Sequence, residues 1–179
     1  MLEVADTILV IIDVQEKLFR VMHDKESLLS NLQKLIQGMQ VLEVPVITTE
    51  QYPQGLGPTH PDIVSLIPKF KAISKVCFSC WQNDEFKNNI KKLNRKQILL
   101  SGIEGHICVY QTACDLIKNG YHVQVVTDAI SSRSMVNRQL SFDMMQQAGA
   151  RLTGIETVLF ELLKVAQGDI FKKISQIVK

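Results

Sequence analysis

The sequence predicts an α/β fold, a parallel β-sheet with helices packed on both faces. Three observations carry that prediction. Short apolar runs alternate along the chain with segments whose apolar residues recur every three or four positions, as strand–helix alternation requires. The runs are continuous rather than polar–apolar alternating, the mark of strands buried on both faces. The 179 residues contain no repeat, low-complexity tract or linker, so residues 1–179 read as a single domain.

The elements follow in order. Thr7–Ile12 (TILVII) is a β-branched and Leu run fit for a central strand. Leu28, Leu32, Leu35, Ile36 and Met39 form one apolar helical face. Val44–Thr48 is the next strand, with Pro45 near its start, where a missing N–H costs least. Gln51–Pro61 (QYPQGLGPTHP) holds three Pro and two Gly in eleven residues and reads as a loop. A short strand covers Ala72–Val76, and Asn83 or Asp84 caps a helix with Phe86, Ile90 and Leu93 on its apolar face. Gln97–Leu100 is a strand, and Ile107–Asn119 a helix stopped by Gly120. His122–Thr127 is a strand, followed by a helix over Asn137–Ala148 with Leu140, Met144 and Ala148 in line, stopped by Gly149. A last short strand at Arg151–Thr153 precedes helices over Glu156–Ala166 and Ile170–Val178.

Composition excludes several functional classes. The formal net charge is +2, from 20 basic and 18 acidic residues, too balanced for a nucleic-acid or membrane surface. Lys91, Lys92, Arg95 and Lys96 read as a solvated helix end. No apolar run reaches the roughly 18 residues of a membrane helix. The opening MLEVADT lacks the basic region of a signal peptide. The expected location is the cytosol, where Cys77, Cys80, Cys108 and Cys114 stay reduced.

In a parallel sheet covered by helices, ligands bind at the carboxyl ends of the strands. Three polar residues fall on that edge: Asp13 after the first strand, Lys75 near the end of the third, and Cys108 just past the fourth. A buried free Cys is usually core packing. Cys108, however, sits in SGIEGHICVYQTA (Ser101–Ala113), at the mouth of a helix, where unpaired N–H groups and the dipole favour a thiolate. An unperturbed thiol is only about 3% ionised at pH 7, so activation matters. Asp13 is either a structural cap or a general base for the thiol. Lys75 either snorkels to solvent or pairs with Asp13 and stabilises charge near Cys108.

These segments resemble the isochorismatase-like cysteine hydrolases, the superfamily that includes nicotinamidases and carbamoylsarcosine amidase. The matching pieces are ILVIIDVQEKLF around Asp13, KVCFSCW around Lys75, LLSGIEGHICVYQTA around Cys108, and the later VVTDAISSRS. The EQYPQGLGPT loop and GIEGHICV look closest to the isochorismatase domain-containing hydrolase subgroup. The resemblance implies a three-layer α/β/α sandwich, Rossmann-like, with a six-stranded parallel sheet in the order 3-2-1-4-5-6. It implies a catalytic triad of Asp13, Lys75 and Cys108. It also implies a cis peptide at Ile103–Glu104 and an oxyanion hole from the backbone N–H groups of Glu104 and Cys108. Gly102 and Gly105 would permit the unusual backbone there. Nicotinamidases usually carry Ala where Glu104 stands, and the Glu104 side chain is expected to face solvent or a subunit neighbour. His106 reads as a structural loop residue.

The departures from the family pattern narrow the chemistry. Nicotinamidases carry a DxHxxxH metal motif after the second strand, whereas TTEQYPQGLGPTH offers only Glu50 and His60. The expectation is no metal and no cofactor, and Cys77-x-x-Cys80, without a second pair, does not alter it. Cys114 reads as core. True isochorismatases cleave a vinyl ether and lack the nucleophilic cysteine, so Cys108 points to thiol chemistry on an amide, carbamoyl or related carbon. Gln15, Phe19, Tyr52, Trp81 and Ile107 flank the motifs and are candidate substrate-pocket residues for a small molecule. The family usually forms homo-oligomers, and Ser131–Val136 with the final helices could supply contacts. The competing classes are a non-catalytic oligomeric binding or interaction protein and a nicotinamidase-like amidase.

Overall fold

All six residues of Thr7–Ile12, strand β1, are buried, as the unbroken apolar run demands. The structure, a computed structural model, describes residues 1–179. β1 pairs in parallel with β2 (Val46–Gln51) on one side and β4 (Gln97–Gly102) on the other. Outside them lie β3 (Ala72–Lys75), β5 (His122–Ile130) and β6 (Arg151–Thr153). The six-stranded sheet has the order β3-β2-β1-β4-β5-β6, every pair parallel, as expected.

Three short or medium helices, α1 (Glu16–Phe19), α3 (Pro53–Leu56) and α4 (Pro61–Val64), sit in the connections at the carboxyl edge of the sheet. The covering helices are α2 (Lys25–Val41), α5 (Asp84–Leu93), α6 (Tyr110–Lys118), α7 (Met135–Gln147), α8 (Ile155–Leu163) and α9 (Gly168–Val178). Side chains alternate across a strand, so β1 feeds two cores. Leu9 and Ile11 pack with Leu32, Leu35, Ile36 of α2, Leu159 of α8 and Ile174 of α9. Ile8, Val10 and Ile12 pack with Phe86 and Ile90 of α5, Leu116 of α6 and Met145 of α7. No helix is long and apolar enough to cross a membrane.

Several expected boundaries move, each for a local reason. β2 begins at Val46 rather than Val44, because the Val44 N–H turns back to the Met39 carbonyl at 2.8 Å and Pro45 gives the sheet only its carbonyl, to Leu9. β4 runs two residues further than expected and β5 three, both toward the carboxyl edge. The Gln51–Pro61 loop is more ordered than its Pro and Gly content suggests, holding all of α3 and an isolated bridge from Thr59 to Gln15. The expected helix Ile107–Asn119 is split into a π-helical turn, Gly105–Val109, and α6.

Asn83 caps α5 as anticipated, its side chain accepting from the Phe86 N–H at 2.9 Å. Phe86 and Ile90 are buried, but Leu93 ends the helix 36% exposed. In α7 the expected inward line was wrong. Leu140 is 48% exposed, and Ser141, Phe142 and Met145 face inward instead. Both stripes have helical spacing, so periodicity could not choose between them. Small Ser141 is what allows the close approach, since a Cβ on Gly105 would meet its Oγ at 2.7 Å.

Candidate active site

The sheet register brings the chemistry together. Ile12 lies opposite Thr49 on one side and Gly102 on the other, and Gln51 lies opposite Lys75. β1 and β4 therefore end level, β2 and β3 run two residues further, and the residues that follow them share one edge. Asp13 leaves β1 with φ +52°, which swings its side chain across the strand ends. Its N–H donates to the Thr49 carbonyl at 3.2 Å, and its own carbonyl accepts from the Gln15 N–H at 2.7 Å.

Both oxygens of the Asp13 carboxylate are engaged. Oδ1 accepts from Thr49 Oγ1 at 2.7 Å, and Oδ2 accepts from Lys75 Nζ at 2.6 Å. Neither side chain of this ion pair has any solvent exposure. The Lys75 ammonium also donates to Gln51 Oε1 at 2.8 Å and reaches the carbonyls of Cys77 and Phe78 at 3.2 and 3.3 Å. Burial alone works to lower the Lys75 pKa, but the charge of Asp13 and its hydrogen bond outweigh that and raise it. Lys75 does not snorkel. It is a buried cation held by four oxygens.

Gly102 turns the chain out of β4 at φ +108°, and a Cβ there would lie 2.2 Å from the Ile12 carbonyl oxygen. The Ile103–Glu104 peptide is cis, the bond the resemblance singled out. Gly105 plays a different part from the one expected: it has no positive φ and serves by leaving room for Ser141 and Ile130. The Glu104 N–H, unlike the neighbouring Ile103 and Gly105 N–H groups, makes no hydrogen bond within the chain. The Glu104 side chain, expected to face solvent or a neighbour, is instead buried. Its Oε2 accepts from the backbone N–H and the Nε of Arg133, both at 3.1 Å. His106 is also structural, with Nδ1 3.0 Å from Ser132 Oγ.

Cys108 lies in the π-helical turn and is 6% exposed. Its thiol corrects the expectation of a thiolate. Burial pushes the pKa well above the ordinary thiol range, the Asp13 charge pushes it further, and Lys75 only partly offsets both. Cys108 therefore rests as a protonated thiol beside a carboxylate. Cys80, fully buried nearby, is pushed up to about 12, chiefly by burial.

The flanking candidates separate. Gln15 is buried and engaged on all sides: its Nε2 donates to the carbonyls of Gln51 and Gly57, and its Oε1 accepts from the Gln51 N–H. It fastens the loop after β2 to Asp13. Phe19 packs at a tilt against His60, ring centroids 4.8 Å apart. Trp81 packs edge-on against Tyr121, which begins the approach to β5 at the opposite edge of the sheet. Ile107 is half-buried beside Cys108 and packs on the same core. Tyr52 is exposed on the loop after β2, as are Val76 and Phe78 after β3.

Glu50 and His60 form no metal pair. Glu50 Oε1 accepts from the N–H and Oγ1 of Thr59, and His60 Nδ1 accepts from the Asp62 N–H at the start of α4. A cavity of about 330 Å³ lies far from the triad, lined by Gln97, His122, Gln124 and Arg151 at the amino ends of the strands. Asp13, Lys75 and Cys108 gather a carboxylate, a cation and a thiol at the other ends of the strands.

Three residues the sequence reading passed over complete the site: Thr49 on Asp13, Gln51 on Lys75, and Thr112, whose Oγ1 donates to the Cys108 carbonyl at 2.7 Å. A signal existed for the first two. The polar run Thr48-Thr49-Glu50-Gln51 closes an apolar strand on the same edge as Asp13. Nothing in the sequence marked Thr112.

Comparison with known proteins gives a consistent result. A family model described as Isochorismatase domain matches residues 7–157. Isochorismatase domain-containing protein 2 of Xenopus laevis is 38% identical over 173 residues, covering 96% of this chain and 83% of the relative. Among solved structures, one described as MAR1 ribonuclease from Caenorhabditis elegans superimposes with a TM-score of 0.92 at 34% identity, covering 99% of this chain and 91% of that one. The Escherichia coli YcaC gene product, described as an octameric hydrolase of unknown specificity, superimposes with a TM-score of 0.92 at 27% identity, covering 98% and 88%.

Proposed function

The chain belongs to the isochorismatase family, and on that premise we propose that it is a metal-independent cysteine hydrolase of a small-molecule amide, carbamoyl or related C–N bond. The observation that carries the reading is the buried Asp13–Lys75 ion pair set beside the protonated thiol of Cys108.

In this reading Asp13 takes the Cys108 proton as the sulfur attacks the substrate carbonyl carbon. The S–C bond forms and the carbonyl π pair moves onto oxygen. The free Glu104 N–H and the Cys108 N–H are the proposed donors to that oxyanion. Collapse breaks the C–N bond, Asp13 returns the proton to the departing amine, and a thioester remains. Water, deprotonated by Asp13, then releases the acid and restores the thiol. Lys75 keeps its hydrogen bond to Asp13 throughout and holds the carboxylate in place. Ile107 and Tyr52 are the proposed pocket residues with access to substrate, while Gln15, Phe19 and Trp81 act from behind as packing and fastening groups.

A phosphodiester reading, suggested by the name of the C. elegans relative, has less support. The one cation at the site, Lys75, is already shared among four oxygens and has no exposed side-chain surface to offer a phosphate. Homo-oligomerisation is supported by the octameric E. coli relative and by exposed Met135, Val136 and Leu140 along one side of α7. The four free cysteines suit a reducing, cytosolic setting.

The test is a panel of primary amides, N-carbamoyl compounds, nicotinamide and RNA, run with and without chelator on the wild type and Cys108→Ala. Chelator-resistant amine release, lost in Cys108→Ala, with a substrate-sized mass adduct on Cys108, is the expected result. Turnover that survives Cys108→Ala overturns the reading. A folded protein inert to the whole panel, with no adduct, returns the binding-protein alternative to first place.

A further inference from the structure

The Cys77-x-x-Cys80 pair has no part in the chemistry described so far, yet its second member lies within the site. Cys80 has no exposed surface, while Cys77 is half-buried. Cys80 donates two hydrogen bonds into the site, one to each of two threonines. Its Sγ donates to Thr49 Oγ1 at 3.8 Å, and Thr49 Oγ1 in turn donates to Asp13 Oδ1 at 2.7 Å. Its backbone N–H donates to Thr112 Oγ1 at 2.9 Å, and Thr112 Oγ1 donates to the Cys108 carbonyl at 2.7 Å.

A threonine hydroxyl has one proton and two lone pairs. Thr49 spends its proton on Asp13, whose carboxylate at 2.7 Å aims the hydroxyl, and the Cys80 thiol at 3.8 Å donates to its lone pair and polarises it. Thr112 spends its proton on the Cys108 carbonyl, and the Cys80 N–H donates to its lone pair in the same way. One residue thus holds both hydroxyls, one on the base and one on the turn that carries the nucleophile. Any residue at position 80 supplies the backbone N–H to Thr112, but an apolar side chain there would leave Thr49 without a donor.

From this juxtaposition we infer that Cys80 is a positioning residue, which couples the orientation of the Asp13 carboxylate to the seat of Cys108 through Thr49 and Thr112. The inference rests on the cysteine-hydrolase reading, in which Asp13 is the acceptor of the Cys108 proton. The charged or titratable groups facing this point are Asp13 at the end of β1, Lys75 at the end of β3, and Cys108 in the π-helical turn. No other acid or base acts on Cys80.

Removing the Cys80 thiol takes away the donor that polarises the Thr49 hydroxyl, so the Thr49 bond to Asp13 weakens. The carboxylate then keeps more of its negative charge toward the thiol proton and holds that proton harder. Cys108 should become less reactive at any given pH, the loss of the smaller direct effect of Cys80 on it working the other way. Serine in place of Cys80 still offers a proton to Thr49 and should restore part of the effect.

The experiment measures iodoacetamide labelling of Cys108 from pH 6 to 10, read by peptide mass, with Cys77 and Cys114 as internal controls. The proteins are wild type, Cys80→Ala, Cys80→Ser, Thr49→Val, Asp13→Asn and the double variant Cys80→Ala/Asp13→Asn, each checked for folding by circular dichroism. In Cys80→Ala, labelling of Cys108 is expected to fall roughly twofold to fivefold at fixed pH, the size of one weak S–H···O hydrogen bond. Thr49→Val should behave alike and Cys80→Ser should lie between. The deciding comparison is the double variant: with Asp13 neutral, Cys80→Ala should have no further effect. An effect of equal size in both backgrounds marks Cys80 as packing only, and no effect in either overturns the inference. Should Cys80→Ala fail to fold, Thr49→Val with its own Asp13→Asn double variant makes the same decision. If Asp13→Asn itself leaves Cys108 labelling unchanged, the assignment of Asp13 as base fails first.

Discussion

Replacing Asp13 by Asn should make Cys108 more reactive toward an alkylating agent and less competent toward a substrate. The substitution removes one negative charge and keeps the shape of the side chain. Asp13 raises the Cys108 pKa by its charge, second only to burial, while Lys75 lowers it. With Asp13 neutral, the Lys75 charge is set against burial alone rather than against burial and a carboxylate. A neighbouring like charge is worth about 1–3 pKa units, so the thiolate fraction at pH 8 should rise about 10- to 1,000-fold. Nucleophilicity falls with pKa, with a Brønsted slope of about 0.4–0.5, and returns roughly half of that gain on the logarithmic scale. Alkylation of Cys108 by iodoacetamide should therefore be about 3- to 30-fold faster than in wild type. Turnover of any amide identified in the panel should fall about 10²- to 10⁴-fold, the usual loss of a positioned general base. Both rates are measured on one preparation, labelling by peptide mass and turnover by amine release. Slower or unchanged labelling of Cys108, in a protein whose circular dichroism matches wild type, would refute the argument that Asp13 holds the thiol protonated.

Three further outcomes follow from the same geometry. Lys75→Met leaves the Asp13 carboxylate buried without its cation and should cost about 3–5 kcal/mol, visible as a lowered urea midpoint; a loss under about 1 kcal/mol would mean the pair is not buried as described. Cys80 and Cys108 both have raised thiol pKa values, Cys80 reaching about 12, so both keep their protons in the native state after the unfolded chain has lost them. Their contribution is complete below about pH 9 and is lost as pH rises through the folded values, at about 1.4 kcal/mol per pH unit for each thiol. Lys75, also raised, contributes in the same direction above its ordinary value of 10.5. Urea midpoints at pH 8, 9 and 10 should therefore decline, and more shallowly in Cys80→Val. Gly102→Ala places a Cβ 2.2 Å from the Ile12 carbonyl oxygen at φ +108°, so neither the backbone nor a side-chain rotation can relieve it. The protein should lose more than about 2 kcal/mol of stability together with Cys108 labelling selectivity, whereas Gly57→Ala, with open space around it, should keep that selectivity.

The sheet was legible in the sequence because its strands are buried on both faces, and such strands must be written as unbroken apolar runs. TILVII could be little else, and a polar residue directly after it, Asp13, had to lie at the carboxyl edge. The same logic places Lys75 and Cys108 on that edge, and the family resemblance groups them. Helix faces were less legible. In α7 the line of Leu140 and the line of Phe142 and Met145 have equal claims by spacing, and only packing against Gly105 and the sheet chose between them. What tertiary structure alone decided is the electrostatics. A sequence can put a cysteine near a helix N-terminus, which argues for a thiolate, but it cannot say how much low-dielectric protein surrounds the sulfur or how close a carboxylate stands. Here burial and Asp13 together outweigh Lys75, and the thiol keeps its proton. The hydroxyls that aim the carboxylate and seat the nucleophile, Thr49 and Thr112, and the Cys80 that joins them, come from three distant stretches of chain. Their meeting depends on strand register and helix approach, which only the folded molecule sets.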